Sequence, residues 1–206
     1  MGSAAPSDFP VRRLSRTEDA LGHLAPRSRK YDTAVNRSQL EHVIRAAATI
    51  AGDTEIVVIG SQAILGRYPD APAELLVSAD VDVYPRNHPE RAELVEGSIG
   101  ELSPFHEAYG YYAQGVGERT AVLPDGWEER LVSVPTSAGR GLCLEPHDLV
   151  ISKYVAGREK DRDYARAAIQ HRLVEVSKLH DRLGQTPVDP GSRERIGRQI
   201  DADSAR

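Results

Sequence analysis

Two short apolar runs near the middle of the chain restrict the fold more than any other feature. The first, Glu55–Ile59, is apolar after its first residue and is followed directly by a glycine and a serine. The second, Asp80–Tyr84, alternates carboxylate and apolar side chains. Because successive side chains of a strand point to opposite faces, Asp80 and Asp82 are predicted to share one face. The pattern therefore predicts a buried strand followed by a strand with one acidic face.

Helical periodicity on both sides of these runs predicts an α/β (α+β) fold, with a small mixed sheet flanked by helices and a helical C-terminal part. The predicted helices are one from Asn36 or Ser38 to Gly52, one over about 89–102, a long one from Pro146 past Gly157 toward Leu173, a stretch to about Leu183, and one over 192–200; a further strand is predicted at Arg130–Val134. Glycine inside a helix costs about 1 kcal/mol relative to alanine, so Gly157 is expected to meet a packing requirement.

Length and composition predict one domain with three parts: a flexible arm over 1–35, a core over 36–145, and a helical part over 146–206 that completes the site. The start of the chain lacks a basic segment followed by an apolar one, and there is no apolar run of about 18 residues, so we expect a cytoplasmic protein without a membrane partner. The lone cysteine, Cys143, is predicted to be a buried apolar residue.

The charge is unevenly distributed along the chain. The net charge is −5 overall, but it is −10 over 36–152 and +4 over 153–198. Solvated surface charge explains such segments about as often as a binding role does. The functional interpretation is an acidic metal-binding centre with a basic flank that suits a polyanion.

Two weak signals reinforce each other around the central strands. Gly60-Ser61 follows a strand and opens a short helix, where free backbone N–H groups can bind a phosphate. Asp80 and Asp82 offer oxygen ligands for a divalent cation. A Gly-Ser turn and two strand acids are each common, but together they give the layout that metal-assisted phosphoryl transfer requires.

These motifs resemble the nucleotidyltransferase superfamily, in which Gly-Ser or Gly-Gly is followed by Asp-x-Asp on the next strand. Here 18 residues separate Gly60-Ser61 from Asp80-Val81-Asp82. The later stretch 149–161, with Lys153, Arg158, Lys160 and Asp161, resembles the Lys and Arg-x-Lys-Asp signature of the AbiEii-type nucleotidyltransferase toxins, whose Ser shortly before the acids is matched by Ser78.

The resemblance implies the role of each residue. Asp80 and Asp82 would hold Mg²⁺, and Gly60, Ser61 and Ser78 would lie at the nucleotide. Lys153 would neutralise phosphate charge, with Arg158 and Lys160 as further phosphate contacts. A third acid usually completes such a site, and Asp161 is expected from the motif.

The residues alone leave the third acid open. On one continuous helix Asp161 and Asp163 would lie about 80° to either side of Lys153. Glu128 and Glu129 are weaker candidates, since they precede a strand beside a Gly-Trp turn. The tyrosines Tyr109, Tyr111 and Tyr112 are more often packing residues than base-stacking ones.

The function that the resemblance implies is Mg²⁺-dependent transfer of a nucleoside monophosphate (NMP) from a nucleoside triphosphate (NTP) to RNA, notably the tRNA 3′ end. Such a reaction would make the protein a growth-inhibiting toxin with an antitoxin partner. The alternatives are transfer to a small molecule such as an aminoglycoside, transfer to a protein hydroxyl, and a catalytically silent protein of the same fold that binds nucleotide.

Overall fold

A mixed β-sheet organises the computed structural model, which describes Met1 and residues 34–205. In that part of the chain the strands are β1 Glu55–Val58, β2 Asp80–Pro85, β3 Tyr112–Gly115, β4 Val132–Thr136 and β5 Gly139–Cys143. The α-helices are α1 Arg37–Ala51, α2 Ala92–Ile99, α3 Pro104–Tyr109, α4 Pro146–Ala156, α5 Glu159–Gln170, α6 Val176–Gly184 and α7 Pro190–Ser204. The predicted α/β class, with flanking helices and a helical C-terminal part, is confirmed.

The strand order in the sheet is β3-β2-β1-β5-β4. β1 runs antiparallel to β2 and parallel to β5, while β2 is parallel to β3 and β4 antiparallel to β5. The two strands predicted from the central runs are therefore direct neighbours near the middle of the sheet. This adjacency brings the end of β1 beside the acids of β2.

The predicted first helix is confirmed, including its ends. Asn36 accepts a hydrogen bond from the Gln39 N–H, and the Gln39 side chain accepts from the Asn36 N–H in return. Gly52 ends α1 with a left-handed backbone, φ +61°. The buried face of α1 packs into a hydrophobic core that extends from Val35 to Ile200.

One buried core is shared by the sheet and the C-terminal helices, so the predicted boundary at residue 145 stays a prediction. Of the predicted arm, residues 2–33 lie outside the described part of the chain. Cys143 is fully buried in β5, and burial raises the pKa of its thiol to about 12, as expected for a packing residue. No helix in the range 34–205 has both the length and the apolarity needed to cross a membrane.

The segment predicted as one helix over 89–102 differs in the structure. A 3₁₀ turn, Pro89–Arg91, leads into α2, which ends at Ile99. The following tyrosine-rich segment, predicted to be irregular, forms α3 and β3. Ser103 begins α3 by accepting a hydrogen bond from the His106 N–H, and Pro104 occupies the first helical position.

The long helix predicted from Pro146 is interrupted at Gly157. α4 ends at Ala156, and Gly157 adopts a left-handed backbone with φ +68° before α5 begins at Glu159. Its N–H donates to the Lys153 carbonyl at 3.0 Å, and Arg162 donates to its own carbonyl. The packing role predicted for Gly157 in a helix interior is wrong, because the glycine is needed for its backbone conformation.

Candidate active site

The two strand acids lie on one face of β2, as predicted, and both are half-buried. The β2–β3 register places Tyr112 beside Asp80 and Gln114 beside Asp82. The Ser78 hydroxyl contacts the Asp80 carboxylate. The neighbouring strand therefore contributes a phenol and an amide next to the acids, and Ser78 is positioned toward Asp80.

Gly60 lies directly against the Asp82 carboxylate. A Cβ at Gly60 would be 1.9 Å from Asp82 Oδ2 and 2.7 Å from its Cγ, far below any allowed contact. The Ile59 N–H donates to the Asp82 carbonyl at 3.1 Å and holds the two strands at this spacing. The glycine is thus required by the approach of a carboxylate, a reason that the sequence alone did not predict.

The ionisation of Asp82 depends on its crowded position. Burial raises the pKa of Asp82 above its ordinary value, and the Asp80 carboxylate raises it further. Lys153, Lys160 and Arg158 act in the opposite direction with smaller effects. Two like charges held together in this way are stabilised by a cation.

Lys153 connects the end of β1 to the C-terminal helices. Its ammonium group donates to Ser61 Oγ at 3.0 Å and lies 3.3 Å from Asp161 Oδ1. It also lies 5.3 Å from the ring centroid of Tyr164, whose hydroxyl donates to the Ser61 carbonyl at 2.9 Å. Lysine on α4 and serine after β1, 92 residues apart in sequence, therefore form one cluster.

Asp161 is the acid that joins this cluster. Its side chain is 1% exposed and accepts from Arg158 Nε at 2.6 Å in addition to its contact with Lys153. Burial alone would raise the pKa of Asp161, but Arg158 and Lys153 together lower it below its ordinary value. The carboxylate is therefore ionised and occupied by two cations.

The alternative acids lie elsewhere. Asp163 is exposed and pairs with Arg166 Nη1 at 3.1 Å. Glu128 and Glu129 are exposed in the 3₁₀ turn Trp127–Arg130. In the described part of the chain, no group of three or more carboxylate, histidine or cysteine side chains is arranged to hold a metal ion. Asp161 as a third acid thus stays a prediction, and its contacts are with cations.

Two clefts meet at the Lys153–Ser61 contact. The first, here called the site cleft, has a volume of about 240 Å³ and is lined by Gly60, Asp82, Lys153 and Arg158 together with 120–122. The second, about 410 Å³, is lined by residues that include Ser61, Ser78, Lys160 and Asp161. The sequence-predicted residues therefore surround one contact and face two openings.

Comparison with protein families decides the assignment of this cluster. A family model described as a nucleotidyltransferase of unknown function (DUF6036) matches residues 38–196. The chain belongs to this family. The match spans each predicted site residue of this nucleotidyltransferase, from Gly60 to Asp161. Comparison with curated proteins and with solved structures found no match.

Some site residues were not predicted. Tyr164 positions both Ser61 and Lys153, and its spacing of three residues from Asp161 on α5 is the signal that would have placed it on the same helical face. The segment 120–122 lies in a loop without periodicity and gave no such signal. The aromatic residues Tyr109 and Tyr111 pack with Phe105 and His42, as the packing interpretation expected.

Proposed function

We propose that this nucleotidyltransferase moves an NMP from an NTP to an acceptor hydroxyl in a Mg²⁺-dependent reaction. The observation that carries the proposal is the site cleft, where the Asp82 carboxylate lies beside Gly60 and opposite the cations of Lys153 and Arg158. An anionic group for a metal and cationic groups for phosphate thus face one small space. The acceptor oxygen would bond to the α-phosphorus while the bond to pyrophosphate breaks, and a proton is released.

The donor set fits magnesium. Mg²⁺ is commonly bound by one or two carboxylates, with substrate phosphates and water as its other ligands. Asp80 and Asp82 provide such a pair, and the raised pKa of Asp82 reflects the repulsion that a cation would relieve. When bound, Mg²⁺ polarises phosphoryl oxygens and neutralises the charge that develops on them.

The cations of the cluster have a separate task. Lys153 and Arg158 line the site cleft and are available to a polyphosphate, while Lys160 faces the second cleft. Asp161 holds Lys153 and Arg158 in place through its two carboxylate oxygens. A positioning role for Asp161 fits these contacts better than a role as third metal ligand or general base, because its low pKa disfavours proton uptake.

The finer part of the proposal concerns the acceptor. The charge of +4 over 153–198 supports a polyanionic acceptor, and the resemblance to AbiEii-type toxins suggests RNA, notably the tRNA 3′ end. Growth inhibition and a cognate antitoxin are further proposals that rest on this resemblance. They are open to a simple test, since expression of the wild type but not of an Asp82 variant should arrest growth.

The deciding experiment supplies the protein with Mg²⁺ and each α-labelled NTP in turn, together with total RNA, total protein or an aminoglycoside. Label in RNA is expected, and Asp80→Ala and Asp82→Ala should each abolish it. Asp70→Ala, which removes an exposed acid from the loop between β1 and β2, is the matched control and should keep full activity.

The other outcomes separate the parts of the proposal. Label in protein or aminoglycoside would keep the transferase and overturn the RNA acceptor. Full activity of both acid variants would overturn the metal assignment. No label with any acceptor would favour a silent nucleotide-binding protein.

A further inference from the structure

A third cleft lies beside the candidate active site, between the α4–α5 turn and α7. It has a volume of about 310 Å³, and its lining includes Val155, Ala156, Arg162, Arg195 and Gln199. We call it the α7 cleft. Neither the strand acids nor the Lys153 cluster belongs to its lining.

The α7 cleft is basic although the chain is acidic overall. Arg162 and Arg195 are both exposed, and neither lies within 4 Å of a carboxylate in the described ranges. No aspartate or glutamate among the described residues lines the cleft. Arg162 uses Nε and Nη2 to hold the Gly157 carbonyl, and Arg195 Nη2 donates to Ser192 Oγ at 3.2 Å. Both guanidinium groups keep donors for a further ligand.

Buried contacts at Asp203 fix the walls of this cleft. Asp203 is 1% exposed and accepts from Tyr154 on α4 at 3.0 Å and from Arg166 on α5 at 3.2 Å. It also accepts from Gln199 on α7 at 3.1 Å. Because one carboxylate ties three helices together, the two arginines sit on a preformed surface and little ordering is needed on binding.

The α7 cleft is continuous with the site cleft. Val155 and Ala156 line both, so the end of α4 separates Lys153 and Arg158 on one side from Arg162 and Arg195 on the other. Planar guanidinium groups match phosphate oxygens with paired hydrogen bonds. A chain of phosphates that passes α4 would meet cations on both sides.

We infer that the α7 cleft binds the phosphate backbone of a single-stranded RNA acceptor through Arg162 and Arg195. The word acceptor rests on the proposed function, whereas the RNA contact itself does not depend on turnover. An acidic protein segment is the competing ligand. RNA is favoured because the cleft adjoins the site at which the acceptor's terminal hydroxyl would react.

The test measures binding without NTP. A fluorescent single-stranded oligonucleotide RNA is titrated with wild-type protein, with Arg162→Ala/Arg195→Ala, and with Arg198→Ala at several salt concentrations. Arg198 is the matched control, because it is an exposed arginine of α7 that pairs with Glu194 and lies outside the cleft lining. We expect the double variant to bind roughly tenfold more weakly or worse. The slope of log K against log salt should fall by about 1.4, or about 0.7 per phosphate contact.

Folding and ligand class are controlled separately. Arg162→Lys keeps the charge if loss of the Gly157 contact disturbs the turn, and it should keep most of the RNA affinity. Thermal unfolding of each variant reports structural damage. A polyglutamate of equal charge serves as the competing polyanion.

Several results would overturn the inference: no RNA binding by the wild type, unchanged affinity and salt slope in the double variant, or an equal loss in Arg198→Ala. Polyglutamate bound through the same arginines as tightly as RNA would overturn it in favour of an acidic protein. If RNA binding depends on both arginines but no NMP transfer occurs, the cleft assignment stands and the proposed function falls.

Discussion

Two buried aspartates of the C-terminal helices are each held between two cations, yet they differ in what surrounds them. Asp148, on α4, is fully buried and accepts from Arg130 Nε at 2.8 Å and Nη2 at 3.1 Å, with Arg182 Nε at 3.1 Å. Asp161, on α5, is as deeply buried, but its cations Lys153 and Arg158 line the site cleft.

The exposure of the cations makes the difference. Arg130 and Arg182 are 21% and 22% exposed, whereas the Arg158 side chain is 62% exposed. The Asp148 centre therefore ties the 3₁₀ turn before β4 and helix α6 to α4, and its charges are used up within the protein. The Asp161 centre orients cations that can still meet a ligand. Burial of an ion pair thus does not by itself indicate function.

The largest expected effect is on the closed centre. Asp148→Ala should lower the free energy of unfolding by about 3–5 kcal/mol, because it leaves two partly buried arginines without a counter-charge. Chemical denaturation measures this loss. Activity per folded molecule should be unchanged at low temperature, and a selective loss of transfer with normal stability would break the comparison.

Asp161→Asn should have a smaller effect on stability, about 1–2 kcal/mol, since solvent can reach Arg158. Its main effect should be on the substrate: we expect the KM for NTP to rise about tenfold as Lys153 and Arg158 lose their anchor. The apparent constant for Mg²⁺ should stay unchanged. Asp163→Asn is the matched control and should behave as wild type, and a weakened Mg²⁺ dependence of Asp161→Asn would identify Asp161 as a metal ligand.

Gly157→Ala should cost about 1 kcal/mol of stability, because alanine is strained at φ +68°. The turn at Gly157 brings Arg158 and Lys153 to the same carboxylate, so the KM for NTP should also rise modestly. Gly97→Ala, in α2 where a Cβ meets no atom within 4 Å, is the control and should stabilise slightly. Equal behaviour of the two variants would contradict the special role of the turn.

The smallest effects are on the pH dependence of stability, and they differ in sign between two site acids. The lowered pKa of Asp161 stabilises the folded protein above the ordinary aspartate pKa, and this contribution is lost as the pH falls through the folded value. The raised pKa of Asp82 has the opposite sign: stability falls as the pH rises through the folded value. Denaturation between pH 3 and 7 should therefore show Asp82→Asn stabilised at neutral pH and Asp161→Asn destabilised there.

The central part of the site could be predicted because its signals are local. Period-two alternation placed Asp80 and Asp82 on one face, and the apolar run before Gly60 indicated a buried strand. The strands that complete the sheet were harder to find. β5 contains two glycines, which lower strand propensity, and Gly141 is there because a Cβ would lie 2.4 Å from Ile44 on α1.

The sequence by itself determined the two central strands, the ends of α1 and the residue types of a nucleotidyltransferase site, since these depend on periodicity, capping and motif spacing. The tertiary structure decided which acid meets Lys153, because the left-handed turn at Gly157 removes the helical register that left Asp161 and Asp163 equivalent. It also decided why Gly60 is needed and how Asp148 and Asp203 are used. Their partners lie between 4 and 49 residues away in the chain, and most are brought near only by packing of the helices.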